Sequence, residues 1–178
     1  MFKFFNFKFN ITAIKIILLL LIITFFLPFF SVSCGSSDPG TNFSGLEIST
    51  GKSIRGTWYN GNILGFILII PPVILFILSF YIYKIKKANV YNIVKTIFFI
   101  APVFDIFAAF IIKYAFKAAV LKAIYEKSAE SGNNFISRGI AEIARITQFH
   151  VKSGFVFYII LNAAFFMFAV MNYFIKRE

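Results

Sequence analysis

A single carboxylate, Asp105, stands inside an otherwise uncharged apolar run from Thr96 to Ile112. An acid at the centre of a bilayer costs several kcal/mol and is by default a candidate for proton or ion chemistry. About ten residues separate it from Lys95, which places it ~15 Å along a helix. Three other apolar runs bring polar features to a similar depth: Thr24 in the first, the Pro71-Pro72 pair in the second and Asn162 in the last. Proline lacks an N–H, so it frees a carbonyl one turn back. One reading of this layer is a proton- or ion-responsive site with Asp105 as the titrating group. The other is a packing device, in which protonated Asp105 donates to a freed carbonyl or to Asn162. The packing reading is favoured, because pumps and transporters usually carry more than one intramembrane charge.

Other residues carry weaker chemistry. Cys34 follows a lysine-flanked apolar stretch and is a candidate for lipidation after cleavage, although Ser31 stands where a lipid-attachment signal prefers Leu. Otherwise it is a free thiol at the outer interface. Gly61 and Gly65 form a GxxxG spacing that lets helices pack closely, within the chain or between copies. His150 reads as an interfacial polar residue, and Trp58 and Tyr59 as membrane-interface anchors. One Cys and one His make neither a disulfide nor a plausible metal site. No nucleophile elbow, phosphate loop, metalloprotease His pair or paired catalytic carboxylates are present, so neither catalysis nor a cofactor is expected.

The elements that position these residues follow from composition. Of 178 residues, 60% are hydrophobic, and mean hydropathy is +0.84. A single soluble core of this size cannot bury that excess. The expected fold is an all-α membrane protein: a four-helix transmembrane bundle forming one membrane domain over residues 1–178. The spans fall at about 11–30, 62–83, 96–113 and 154–175, with outer loops 31–61 and 114–153 and a cytoplasmic loop 84–95. Lysines before the first span, in the 84–95 loop and after the last span share one side, which places both termini in the cytoplasm. The net charge of +11 reads as these topology signals and as contact with anionic headgroups, not as nucleic-acid binding. The 113–153 segment is the exception, with seven Lys or Arg against three Glu on the outer side.

The outer loops predict a small extracytoplasmic cap of helix and strands. Tyr114, Ala118, Leu121 and Tyr125 recur at helical spacing, so the third helix continues past the membrane until Ser131-Gly132-Asn133-Asn134. A short amphipathic helix carrying Ile136, Ile140 and Ile143 follows. Short strands are expected at Leu46–Ser49, Ile54–Tyr59 and Ile146–Val151.

The stretch Leu27-Pro28-Phe29-Phe30-Ser31-Val32-Ser33-Cys34, followed by Ser44-Gly45-Leu46-Glu47-Ile48-Ser49-Thr50-Gly51, resembles a family of uncharacterised small bacterial multi-span membrane proteins. Their first span ends in a Leu-Pro-aromatic stretch and Val-Ser-Cys, with a Ser-Gly-Leu-acid-Leu-small-Thr-Gly stretch after it. Gly154-Phe155 opening the last span resembles that group too. The resemblance implies a bacterial, multi-span envelope protein and carries over no catalytic residue; the expected location is the bacterial inner membrane. The expected role is a non-enzymatic accessory subunit or scaffold of an envelope complex, in contact with lipid and with other membrane proteins or copies of itself. The alternative is a small proton- or ion-coupled transporter or channel using Asp105.

Overall fold

In a computed structural model, residues 7–34, 40–54, 57–85, 87–130 and 147–174 are described. The chain opens with helix α1, Phe7–Thr24. It stops earlier than the 11–30 span expected from hydropathy. Three successive i→i+3 bonds tighten its end, the last from Leu27 N–H to Thr24 O at 3.0 Å, and Pro28 then excludes further helix. Strand β1, Pro28–Cys34, follows. Its aromatic and β-branched residues favour extended backbone, and Phe29, Phe30, Ser31, Val32 and Ser33 are all buried. β1 is the middle strand of an antiparallel sheet, flanked by β2, Thr41–Ser44, and β5, Thr147–Val151. In that register Phe30 pairs with Phe43 and with Val151. The strand expected near Ile146–Val151 is therefore present as β5, whereas β1 was hidden inside the first apolar run.

Leu46–Ser49 is not a strand. It lies in helix α2, Gly45–Thr50, because Ser44 and Glu47 form a capping box: the Ser44 hydroxyl accepts from Glu47 N–H at 3.2 Å and Glu47 Oε2 accepts from Ser44 N–H at 2.9 Å. Gly51, at φ 96°, closes α2 and turns the chain into a hairpin of β3, Gly51–Ile54, and β4, Thr57–Asn60. A side chain at Gly51 would be strained at that φ. The single strand expected over Ile54–Tyr59 is instead divided between the two strands of this hairpin, with Ile54 ending β3 and Thr57–Tyr59 in β4.

A 3₁₀ segment, Ile63–Leu68, leads into helix α3, Ile70–Tyr81, whose first turn holds Pro71 and Pro72. Another 3₁₀ turn covers Ile82–Lys84. Helix α4 then runs 43 residues from Ala88 to Glu130. The 84–95 loop shrinks accordingly, because Asn89 to Lys95 are helical. The expected continuation of this helix through Tyr114 and Tyr125 holds. At ~1.5 Å per residue it reaches ~64 Å, about twice a bilayer core. The expected stop at 131–134 and the helix carrying Ile136 to Ile143 lie outside the described residues. Helix α5, Ser153–Phe174, completes the chain.

Among the described residues, α5 packs along both α1 and α4, and α1 also packs on α3. The sheet, α2 and the hairpin gather at one end of the helices. There Phe116 of α4 meets Phe30 of β1, Phe43 of β2 and Tyr59 of β4 at ring-centroid distances of 5.4, 5.0 and 5.6 Å. Helix dominates the fold, but these strands make it more than the all-α chain expected from periodicity. Three helical stretches, Ile63–Tyr81, Asn89–Glu126 and Ser153–Met171, are long and apolar enough to cross a membrane. The apolar stretch of α1, Ile11–Thr24, is shorter. Only 28–33% of the residues in the three long windows are buried within the protein, so their outward faces are apolar without a protein partner. Ile74, Ile77 and Phe80 on α3, Ile93, Phe107 and Ile111 on α4, and Ile160 and Met167 on α5 are all exposed.

Candidate functional site

α4 and α5 run antiparallel, with Phe98 against Phe165 at 6.1 Å and Phe110 against Phe155 at 5.9 Å. Asp105 lies seven residues after Phe98 and five before Phe110. The same steps along α5 lead to positions 158 and 160, so Asp105 faces the turn between Tyr158 and Asn162. All three residues are 0% exposed. The register thus sets Asp105 at the level of Tyr158 and Asn162 on two packed helices.

The hydrogen bonding of this cluster is incomplete. Asn162 Nδ2 donates to the backbone carbonyl of Tyr158 at 3.1 Å. Asn162 Oδ1 and both Asp105 oxygens are buried without any partner. Three buried acceptors at one level of two packed helices are therefore without a donor, and a proton on Asp105 would relieve the cost of burying them.

The freed carbonyl foreseen at Pro71-Pro72 is also present, but a different residue uses it. Leu68 O has lost both helical donors: residue 71 would supply the 3₁₀ bond and residue 72 the α bond, and both are proline. Tyr158 Oη donates to Leu68 O at 2.8 Å, tying α5 to the 3₁₀ entry of α3. The donor is Tyr158 and not Asp105, so of the acceptors the sequence offered a protonated Asp105, the Leu68 carbonyl is already taken. Pro102, three residues before Asp105, lies inside α4 and likewise removes the donor for Phe98 O. Tyr158 and Pro102 were missed from sequence. Their signals were there: Tyr158 sits one turn before Asn162, and Pro102 one turn before Asp105.

Thr24 departs from the expected polar layer. A Cβ on Gly154 would lie 3.0 Å from Leu27, so Thr24, three residues earlier, is about 5 Å deep from that level while Asn162 is about 12 Å deep. Its hydroxyl donates to Leu21 O at 2.7 Å within its own helix. The Gly61–Gly65 spacing packs against the cap, not against a membrane helix. A Cβ at Gly61 would strike Ser49 O and Gly51 N, and one at Gly65 the Ser49 hydroxyl. Asn62 N–H donates to Ile48 O at 2.8 Å. Both glycines admit α2 to the start of the 3₁₀ segment, and neither belongs to a regular α-helix.

Tyr59 is buried with Phe43 and Phe116 and is not an interface anchor. Burial raises its hydroxyl above the usual tyrosine range. Cys34 ends β1 opposite Thr147. His150 is exposed on β5 opposite Ser31. Lys52 donates to Glu47 Oε1 at 2.7 Å and to Asn42 O at 2.8 Å. Partial burial pushes the Glu47 carboxyl up, but the Lys52 and Ser44 hydrogen bonds and the Lys52 charge outweigh it and hold the carboxyl below its ordinary value. No group of three or more His, Cys, Asp or Glu able to hold a metal occurs among the described residues.

The segments quoted for the family resemblance meet in this cap. Pro28 begins the central strand, Ser44 and Glu47 cap α2, Gly45 abuts Phe25, and Gly154 abuts Pro28 O. No protein-family model, curated protein or solved structure matches the chain.

Proposed function

We propose that this chain is a four-span protein of a bacterial inner membrane, both termini cytoplasmic, whose Asp105–Tyr158–Asn162 cluster binds a proton and couples it to a small-ion transport or sensing step. The observation that carries this reading is the pair of buried Asp105 oxygens without a donor. The freed Leu68 carbonyl, one acceptor a structural acid could have used, is taken by Tyr158. The exposed apolar faces of α3, α4 and α5 support lipid contact on all sides. α1, with 18 residues and ~27 Å of length, serves as the fourth span. Ile11, Ile14, Leu18 and Leu21 are buried in the helical core, so cleavage before Cys34 would remove a structural wall.

The second reading is an accessory subunit or scaffold of an envelope complex, with the cap as its docking surface. It is favoured by the construction of the cap, which the capping box, the Glu47–Lys52 pair and the Gly61–Gly65 contacts hold firmly on the helices.

Reconstitution into liposomes loaded with a pH dye separates the two. A proton flux under an imposed gradient that Asp105→Asn abolishes, with helical content retained, supports the first reading. Absence of flux from the wild-type protein, together with a stoichiometric membrane partner copurifying from native membranes, supports the second.

A further inference from the structure

The two ends of the helices treat Asp105 differently. Toward the sheet, Phe155 meets Phe29, Phe30 and Phe110 at 6.1, 5.2 and 5.9 Å, and Phe30 stacks on Phe116 at 5.4 Å. These rings fill the interior over several turns, and the Tyr158–Leu68 bond lies beneath them. Toward the other end, a cleft opens among all four helical segments. Ile11 and Ile14 of α1, Tyr91, Lys95 and Phe98 of α4, and Ala169 of α5 line it, beside Ile82. Its volume of about 10 Å³ is close to the minimum for one water molecule. Tyr91 and Lys95 stand in that lining, whereas the packing toward the sheet is built on aromatic rings.

Phe98 is shared between the cleft and the barrier above it. Its ring meets Phe165 edge-on at 6.1 Å, interplanar angle 88°. Asp105 lies seven residues further along α4, ~10 Å away. Between them is Phe98 O, deprived of its donor by Pro102, a polar step on the path from cleft to carboxylate.

We infer that Asp105 exchanges its proton only with the end of the helices remote from the sheet, through the cleft at Tyr91 and Lys95, with the Phe98–Phe165 ring pair as the barrier. This rests on the reading of Asp105 as a proton-binding site. A proton leaving Asp105 passes to water admitted when the rings part, and on to water in the cleft. Tyr158 is the titratable neighbour that α5 brings to Asp105. Among the other ionisable side chains of the helices, Lys15 stands midway along α1 over Phe80, Lys84 follows α3, and Lys95 and Lys113 lie ten and eight residues from Asp105 on α4. Lys95, lining the cleft, is the cation a departing proton meets first.

The test is infrared spectroscopy of the full chain in lipid nanodiscs. The protonated-carboxyl C=O band is assigned by its loss in Asp105→Asn and its displacement in Asp105→Glu, and its shift is followed in time after transfer to D₂O. Phe98→Ala should speed the exchange about tenfold, the effect of lowering one barrier by ~1.4 kcal/mol, and Phe155→Ala should leave it unchanged. Phe98→Leu, with a smaller expected gain, serves if Phe98→Ala fails to fold. Equal acceleration by Phe155→Ala, or no acceleration by either Phe98 variant, overturns the one-sided path while leaving the proton site intact. Absence of any Asp105-dependent acid band overturns the proton site itself, and the path with it.

Discussion

Replacing Tyr158 by Phe removes one oxygen and keeps the ring, which isolates the bond to Leu68. Leu68 O accepts from Tyr158 Oη at 2.8 Å and has no backbone alternative, since Pro71 and Pro72 occupy both donor positions. Leu68 and Tyr158 are 1% and 0% exposed, so water does not replace the lost donor. An orphaned buried acceptor costs about 1–3 kcal/mol, while side-chain bonds between membrane helices average ~0.6 and reach ~1.7 kcal/mol. The absence of a competing partner places this bond at the upper end, about 1.5 kcal/mol, or roughly a tenfold fall in the folded-to-unfolded ratio. Pro72→Ala restores an N–H that can reach Leu68 O. In that background Tyr158→Phe should cost only about 0.5 kcal/mol, giving a coupling of ~1 kcal/mol. The assay is equilibrium unfolding in mixed detergent micelles, followed by circular dichroism, with Tyr114→Phe at an exposed position as the control. Equal losses in the two backgrounds, or a Tyr158→Phe loss no larger than the control, would refute the assignment of Tyr158 as the substitute donor.

Four further outcomes test the cap. Ser44→Ala removes the N-cap hydroxyl and should lower cap stability by ~1 kcal/mol, read from the fluorescence of Trp58, the sole tryptophan. Glu47 has a depressed folded-state pKa, so its contribution is present above the ordinary carboxylate pKa and is lost as pH falls through the lower folded value. Because its side chain is 34% exposed, the loss should be below ~1 kcal/mol, and Glu47→Gln should flatten that limb of a pH titration. Gly61→Ala, forced against the backbone of Ser49 and Gly51, should cost about 1–3 kcal/mol without changing self-association measured by light scattering; a shift in oligomeric state would return this glycine pair to an interface between copies. Phe116→Ala, at the centre of the aromatic contacts, should cost about 3–5 kcal/mol and raise Tyr59 accessibility in near-ultraviolet difference spectra.

The sequence by itself determined the helical, apolar character of the chain, the placement of Asp105 and Asn162 inside long apolar helices, the single long third helix, and the carbonyl freed by the prolines. These are local properties: run length, charge placement and the missing proline N–H are legible in any window of the chain. Tertiary structure decided the rest. Hydropathy does not distinguish Phe29 and Phe30 in a buried strand from the same residues at the end of a span, because both settings are apolar; pairing with β2 and β5, the latter more than a hundred residues away, selects the strand. The GxxxG spacing was visible, but what occupies the notch depended on where the capping box of α2 sets Ser49. Tyr158 looked like any aromatic in an apolar helix until folding put its hydroxyl against Leu68 O, ninety positions away in sequence. That bond commits the Tyr158 hydroxyl elsewhere, and both Asp105 oxygens are left buried without a donor.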